Sequence, residues 1–403
     1  MAEHIDQPWL HRPQLQALLA LLNDGEGEAK IAGGAVRNSL LDQPIADVDV
    51  ATTLVPSEVV ERLKSAGHKS VPTGIDHGTV TAIIDGDAYE VTTLRADVET
   101  DGRHATVVFG TDWEADARRR DLTMNALYLD ADGTVFDPLG GMQDVLAARV
   151  VFIDDATQRI REDYLRILRF FRFFAWYGKF RPDADGLRAC AREKDGLEGL
   201  SAERVWQELS KMLAAPDPVR AVLWMRQTGV LSKILPESEN WGIDGIHPLI
   251  ETEKERKWEP DAVLRLMAIL PPMEERVASA TERLKLPNSV RDRLLAWAQL
   301  ELPAAKTKQE AFARFLYRTN NDQAVTDRLR LAIATSDADA KKRRRQLKWL
   351  KRWQRPILPV RGADLIAAGM EPGPAISERL SKMEERWIDS DFALSSEELL
   401  TGI

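Results

Sequence analysis

Two aspartates separated by one residue, Asp47 and Asp49, stand shortly after a Gly33-Gly34 pair. The string Ile31-Ala32-Gly33-Gly34-Ala35-Val36-Arg37 reads as a strand, a glycine turn and a helix start. Glycine lets the backbone approach a ligand closely, and the free N–H groups of the following helix favour a phosphate. A plain tight turn would use the same residues. In Asp47-Val48-Asp49-Val50, alternation along a strand puts both carboxylates on one face and both valines toward a core. Adjacent carboxylates raise each other's pKa unless a cation lies between them, and hard oxygen ligands of this kind suit Mg²⁺. A solvated strand end is the bland alternative. The short span from Gly33-Gly34 to Asp47 favours a metal placed beside a bound triphosphate.

Three further segments could complete such a site. Glu90, in the strand-like Tyr89-Glu90-Val91-Thr92-Thr93-Leu94, is either a third carboxylate or a partner for a nearby loop. Arg118-Arg119-Arg120-Asp121 leads straight into an apolar strand, and Arg120 is selected as a triphosphate contact because guanidinium pairs with phosphate in a bidentate fork. The turn Asp137-Pro138-Leu139-Gly140-Gly141 reads as structural.

The string from Glu162 to Arg172 is read as one continuous helix. On a regular helix Asp163, Arg166 and Arg169 fall within an arc of roughly 120°, with Leu165, Leu168 and Phe171 facing a core, while Arg172 drifts about half a turn away. Asp163 and Arg166 then form either a surface ion pair or a base reader. Cytosine and adenine each present an exocyclic amine beside a ring nitrogen acceptor, which a carboxylate and a guanidinium can match. Uracil and guanine would set a carbonyl against the carboxylate, and an unmatched polar pair discriminates strongly.

The elements that must hold these residues change character along the chain. Leu15, Leu18, Leu19 and Leu22 share one helix face. Strand-like runs at 48–51, 79–84, 89–94 and 126–129 alternate with helical ones at 56–66 and 112–119. Residues 1–150 are therefore expected to form an α+β head on a small mixed sheet. Beyond residue 153 the pattern is helical throughout, giving an all-α neck at 151–215 and an all-α body and tail at 216–403. The 403 residues exceed one ordinary core. The single cysteine, Cys190, excludes an internal disulfide and a cysteine zinc cluster. No apolar run spans a membrane and no leader pattern is read, so a cytoplasmic protein is expected. The net charge of −9 conceals segregation. Residues 341–355 hold nine Lys or Arg and no acid, leaving −18 on the rest. That segment is either a track for a nucleic-acid backbone or a solvated helix face, with Trp349 and Trp353 turned inward.

Together the strings GGAVR at 33–37, DVD at 47–49, RRDLTMNA at 119–126, DPLGGMQD at 137–144, EDYLRILRFFRF at 162–173 and LSAERVWQELSKML at 200–213 resemble the class II CCA-adding tRNA nucleotidyltransferases and their relatives, the bacterial poly(A) polymerases. The resemblance covers about the first half of the chain in family order, and continues weakly at Leu286-Pro287-Asn288 and from Gly362 to Gly369. It implies two Mg²⁺ ions on Asp47 and Asp49, one activating the tRNA 3′-hydroxyl and one steadying the triphosphate. It implies phosphate contacts from Gly34, Arg37 and Arg120. It also implies a nucleotide-reading helix carrying Asp163, Arg166, Arg169 and Arg172, braced by a neck helix from Leu200 to Leu213 with Ser201 as N-cap. Its members are built as head, neck, body and tail, all helical beyond the head. One departure is visible, Asn38 standing where the family usually has aspartate.

The implied activity is template-independent addition of CCA to the tRNA 3′ end from CTP and ATP, with pyrophosphate released. Poly(A) addition is the nearest alternative, but the acidic Ser396-Glu397-Glu398 ending departs from the long basic tail of those enzymes. A CC-only or A-only enzyme is another alternative. The polar stretch from Arg95 to Trp113 has the length of a complete flexible loop, which favours full CCA addition. A non-catalytic tRNA-binding protein would not need both aspartates. After His104 the only histidine is His247, so an additional His-Asp phosphohydrolase activity is not expected.

Overall fold

The computed structural model describes residues 4–74, 78–96 and 108–401. The chain divides into two compact units, Met1–Ile234 and Leu235–Ile403. The first unit carries strands β1 (Ala29–Ala32), β2 (Asp49–Thr52), β3 (Lys69–Gly74), β4 (Thr79–Ile84), β5 (Asp87–Thr93), β6 (Arg95–Ala96), β7 (Val108–Phe109), β8 (Tyr128–Leu129) and β9 (Val135–Phe136). Its first helices are α1 (Pro13–Leu22), α2 (Gly34–Leu40), α3 (Pro56–Ser65), α4 (Trp113–Arg118) and α5 (Gly141–Leu146). Then follow α6 (Ala156–Glu162), α7 (Leu165–Tyr177), α8 (Ala184–Glu193), α9 (Ala202–Leu213), α10 (Val219–Gln227) and α11 (Val230–Ile234). Among the described residues every strand ends by Phe136, so an α+β head precedes an all-helical remainder, as the composition shift implies.

The sheet has seven strands in the order β3-β4-β5-β2-β1-β8-β9. Only β2 and β5 run parallel, which makes the sheet mixed. Periodicity explains its faces. Along β4, Val80, Ala82 and Ile84 are buried while the intervening residues are half-exposed, and the Leu15, Leu18, Leu19 and Leu22 stripe of α1 is wholly buried. Strand β3 carries little sequence signal. It lies at the sheet edge, contains Pro72, and slips register against β4 between Val71 and Gly74, as expected where proline cannot donate to a ladder.

The string 162–172 is not one helix. Asp163 adopts an extended conformation (φ −154°, ψ 106°), ends α6 and starts α7 by accepting the Leu165 N–H at 3.1 Å. This is the habit of a short acidic side chain at a helix start. Helix α7 buries Ile167, Phe170 and Phe171 as well as Leu165 and Leu168, and Phe170 stacks on Phe152 with centroids 5.2 Å apart. Each buried aromatic contributes roughly 2–3 kcal/mol of transfer free energy, which fixes α7 in place. Helix α9 packs along α7, with the Ser201 hydroxyl capping its start as expected.

The second unit contains only helices among its described residues: α12 (Ile246–Arg256), α13 (Ala262–Ile269), α14 (Glu274–Arg283), α15 (Asn288–Gln299), α16 (Gln309–Thr319), α17 (Asp322–Thr335), α18 (Asp337–Leu350), α19 (Gly362–Ala367), α20 (Pro374–Asp389) and α21 (Ser396–Leu400). The basic segment forms most of α18. Trp349 and Trp353 pack onto the buried cluster around Phe312, Leu316 and Leu329. Two of its arginines have structural work, since Arg343 donates to the Pro303 carbonyl and Arg355 to that of Tyr317, both at 2.7 Å. Lys341, Arg345, Lys348, Lys351 and Arg352 are exposed. None of the described helices is long and apolar enough to cross a membrane.

Candidate active site

A cleft of about 840 Å³ opens on the first unit, lined by the ends of β1, β2 and β5, the start of α2, the Arg119–Asn125 segment and one face of α7. Strand β1 runs out at Ala32 and the chain turns on Gly33, whose φ of 63° suits glycine. A Cβ at Gly33 would lie 3.3 Å from the Arg120 guanidinium and 3.4 Å from the Asn125 carbonyl, so the turn leaves little room for a side chain. Helix α2 starts at Gly34, and its Arg37 side chain returns to the cleft.

Asp49 opens β2, and pairing with β5 sets it opposite Glu90. Asp47 precedes the strand and lines the same cleft. Val50 is buried as expected, but Val48 is only half-buried because the regular strand starts after it. Burial, followed by the nearby Glu90 and Asp47 carboxylates, raises the Asp49 pKa above the usual aspartate range, with Arg120 opposing. The arrangement concentrates negative charge on oxygen atoms, the donor type a hard divalent cation prefers. No cage of three or more ready-made ligands exists among the described residues. That fits an ion whose coordination is completed by water and phosphate oxygens.

Arg120 reaches the cleft from beneath. Its guanidinium contacts Asp116 at 3.1 Å, donates to the Asn125 carbonyl at 3.2 Å and lies 5.1 Å from the Tyr128 ring centre. Burial works against its charge, but Tyr128 and Asp116 outweigh it and raise its pKa. The planar fork is thus held charged and oriented, which suits phosphate recognition. Asp137 caps its own turn by accepting the N–H groups of Gly141 and Met142, each at 2.9 Å, in agreement with the structural reading of that segment.

The residues expected to read the base, Asp163, Arg166, Arg169 and Arg172, lie in the cleft, but not with Asp163 and Arg166 as the side-by-side pair that a continuous helix would give. Because the chain breaks at Asp163, its carboxylate turns to Arg204 of α9 at 2.7 Å. Arg166 instead meets Glu162 at 2.5 Å and donates to the carbonyls of Arg159 and Arg119. Arg169 pairs with the buried Asp121 at 2.5 Å, and Arg172 with Glu208 of α9 at 2.7 Å. Burial opposes the Asp121 charge, yet Arg169 and the Asn125 amide overcome it and lower its pKa. Arg204, Asn125 and Phe173 also line the cleft and were not anticipated. Their signal is tertiary, since Arg204 stands 41 residues from Asp163. Of the loop from Arg95 to Trp113, residues 97–107 lie outside the described residues. A second cavity of about 870 Å³, in the helical unit around Trp241 and Trp297, has a single carboxylate, Glu301, and no comparable constellation.

Comparison with known proteins agrees with this layout. Residues 29–151 match the Poly A polymerase head domain family. Residues 179–241 match the family described as a probable RNA and SrmB-binding site of polymerase A. The chain is 35% identical to the mitochondrial CCA tRNA nucleotidyltransferase 1 of Mus musculus, across 96% of this chain and 89% of that protein. It is 32% identical to a CCA-adding enzyme of Geobacillus kaustophilus, across 92% and 91%. The crystal structure of the Bacillus stearothermophilus CCA-adding enzyme in complex with CTP superposes with a TM-score of 0.75 and 27% identity, over 96% of this chain and 94% of that one. The chain belongs to the CCA-adding tRNA nucleotidyltransferases, a nucleotidyltransferase family.

Proposed function

We infer that the protein adds CCA to the 3′ end of tRNA without a nucleic-acid template, taking CTP and ATP in turn and releasing pyrophosphate. The observation that carries this reading is one shared cleft. Asp47, Asp49, the Gly33-Gly34 turn, Arg37, Arg120, Asp163, Arg166, Arg169 and Arg172 all line it. Phosphate-directed and base-directed groups thus face a single nucleotide.

In this reading Gly34, Arg37 and Arg120 hold the triphosphate. The glycine turn lets the backbone approach, and the two guanidinium groups fix the phosphates for in-line attack. Asp47 and Asp49 would hold Mg²⁺, two ions in the family's manner, with Glu90 placed to assist. When bound, the metal supplies positive charge that favours the attacking hydroxylate and the charge developing on the phosphates. Asp163 and Arg166 present an acceptor and a donor to the Watson–Crick edge, while Arg169 and Arg172 position the helix that carries Arg166. The exposed Lys and Arg residues of α18 are proposed to contact the tRNA backbone.

The test is incubation of tRNA lacking its 3′ end with labelled CTP, ATP or both, with product lengths read on a gel. Two C additions followed by one A and a stop are expected. A ladder of A additions would identify a poly(A) polymerase, and a stop after CC or a requirement for tRNA-CC would identify a partial enzyme.

A further inference from the structure

Seven arginines line the cleft: Arg37, Arg119, Arg120, Arg166, Arg169, Arg172 and Arg204. Six are paired with carboxylates, supplied by Asp116, Glu162, Asp121, Glu208 and Asp163. Arg37 is the exception. It is only 7% exposed, yet its hydrogen-bond and ring partners are all neutral. Its Nε and Nη2 donate to the Asn38 amide oxygen at 3.2 and 2.9 Å, Nη2 also donates to the Tyr177 hydroxyl at 2.9 Å, and Nη1 donates to the Asn125 amide oxygen. The guanidinium lies 4.4 Å from the Tyr177 ring centre and 5.1 Å from that of Phe173. The Tyr177 hydroxyl in turn donates to Asn38 at 3.2 Å, and the Asn38 amide is oriented by its bond to the Pro44 carbonyl at 2.8 Å.

A buried guanidinium without a counter-ion is costly, and aromatic faces with neutral acceptors support it without cancelling its charge. An aspartate at position 38 would put a carboxylate where the Asn38 amide oxygen now receives Arg37 and would offset that charge. We propose that Asn38 and Tyr177 are positioning residues that hold Arg37 as the one arginine of the cleft with no carboxylate in contact, so that these neutral side chains set affinity for the nucleotide's phosphates without affecting the choice of base. The inference rests on the reading that Arg37 faces the phosphates. The neighbouring arginines each have a carboxylate in contact, Arg119 and Arg120 sharing Asp116, so Arg37 is the cleft arginine whose contacts leave it most available to an anion. Burial lowers the Arg37 pKa, with Tyr177 and the more distant Asp121 carboxylate opposing it.

The experiment measures CTP, ATP and cytidine binding to the full chain at several salt concentrations. Asn38→Asp is expected to weaken CTP and ATP equally, by about tenfold, and to flatten their salt dependence, with cytidine unchanged and thermal stability equal or higher. Tyr177→Leu, which removes ring and hydroxyl, should act in the same direction. Tyr177→Phe keeps the ring and should recover most of the affinity. Arg37→Lys separates the two levels of argument. If it weakens CTP and ATP while Asn38→Asp and Tyr177→Leu do not, the positioning role is wrong and the phosphate contact stands. If Arg37→Lys itself has no effect, both fall.

Discussion

The Asp163 carboxylate meets the guanidinium of Arg204, on a different helix, at 2.7 Å, and not that of Arg166 three residues along its own chain. Asp163 is an extended residue between two helices, so α9 decides where its second oxygen points. Removing Arg204 should therefore loosen base choice although Arg204 lies outside the reader string. Arg204→Ala is expected to reduce discrimination of CTP and ATP against UTP and GTP by about 10- to 100-fold, the scale of one charge-assisted hydrogen bond. Arg204→Lys should restore part of it, and Asp163→Ala should relax choice furthest. Single-nucleotide incorporation with each of the four triphosphates measures this. Undiminished selectivity in Asp163→Ala would remove the base-reading account.

Asp49 separates activity from stability. Its raised pKa means that ionised Asp49 weakens the fold, because the unfolded chain loses that proton more readily. Asp49→Asn should abolish incorporation of both CMP and AMP while leaving the melting temperature equal or higher. Asp47→Ala should give the same loss with the fold intact. Chelation of divalent ions should stop the unmodified enzyme, and added Mg²⁺ should restore it. Activity persisting in both variants would exclude the metal role.

Asp121 should behave in the opposite way. Its depressed pKa contributes stability that is complete above the ordinary aspartate value and is lost as pH falls through the folded value. Asp121→Ala removes the carboxylate that faces Arg169, at a cost of about 3 kcal/mol near neutrality. Denaturant melts at stepped pH should show the difference from the unmodified protein shrinking only below about pH 4.

Along the basic segment 341–355, the lysines that reach solvent and the arginines that hold backbone carbonyls can be told apart. Replacing Lys341, Lys348 and Lys351 with glutamine should weaken tRNA binding and reduce the slope of log affinity against log salt by about 2 to 3. Replacing Arg343 or Arg355, which hold backbone carbonyls, should instead lower thermal stability. An unchanged salt slope in the lysine variant would place the tRNA path elsewhere.

Much of the head could be read in advance because its signals are local. The leucine stripe of α1, the alternation of β4 and the glycine turn each depend on residues a few positions apart. Strand β3 is not legible in the sequence because an edge strand with proline needs neither a full ladder nor two apolar faces. The break at Asp163 is masked because the apolar period runs through it without glycine or proline, although an aspartate before Leu165 has the form of a helix cap. The partners of the reader could not be read at all, since Arg204 on Asp163 and Tyr177 on Arg37 arise from how α7, α9 and α2 pack.

Helices α6 and α7 grip the segment that carries Arg120 at three successive points. Arg159 holds the Arg118 carbonyl, Arg166 that of Arg119, and Arg169 the Asp121 carboxylate. Recognition and chemistry therefore share a frame. A base that fits poorly cannot tilt α7 without pulling on the backbone beside the phosphate grip. If α7 reads the base as proposed, a wrong nucleotide is expected to lose more in the rate of transfer than in occupancy of the pocket.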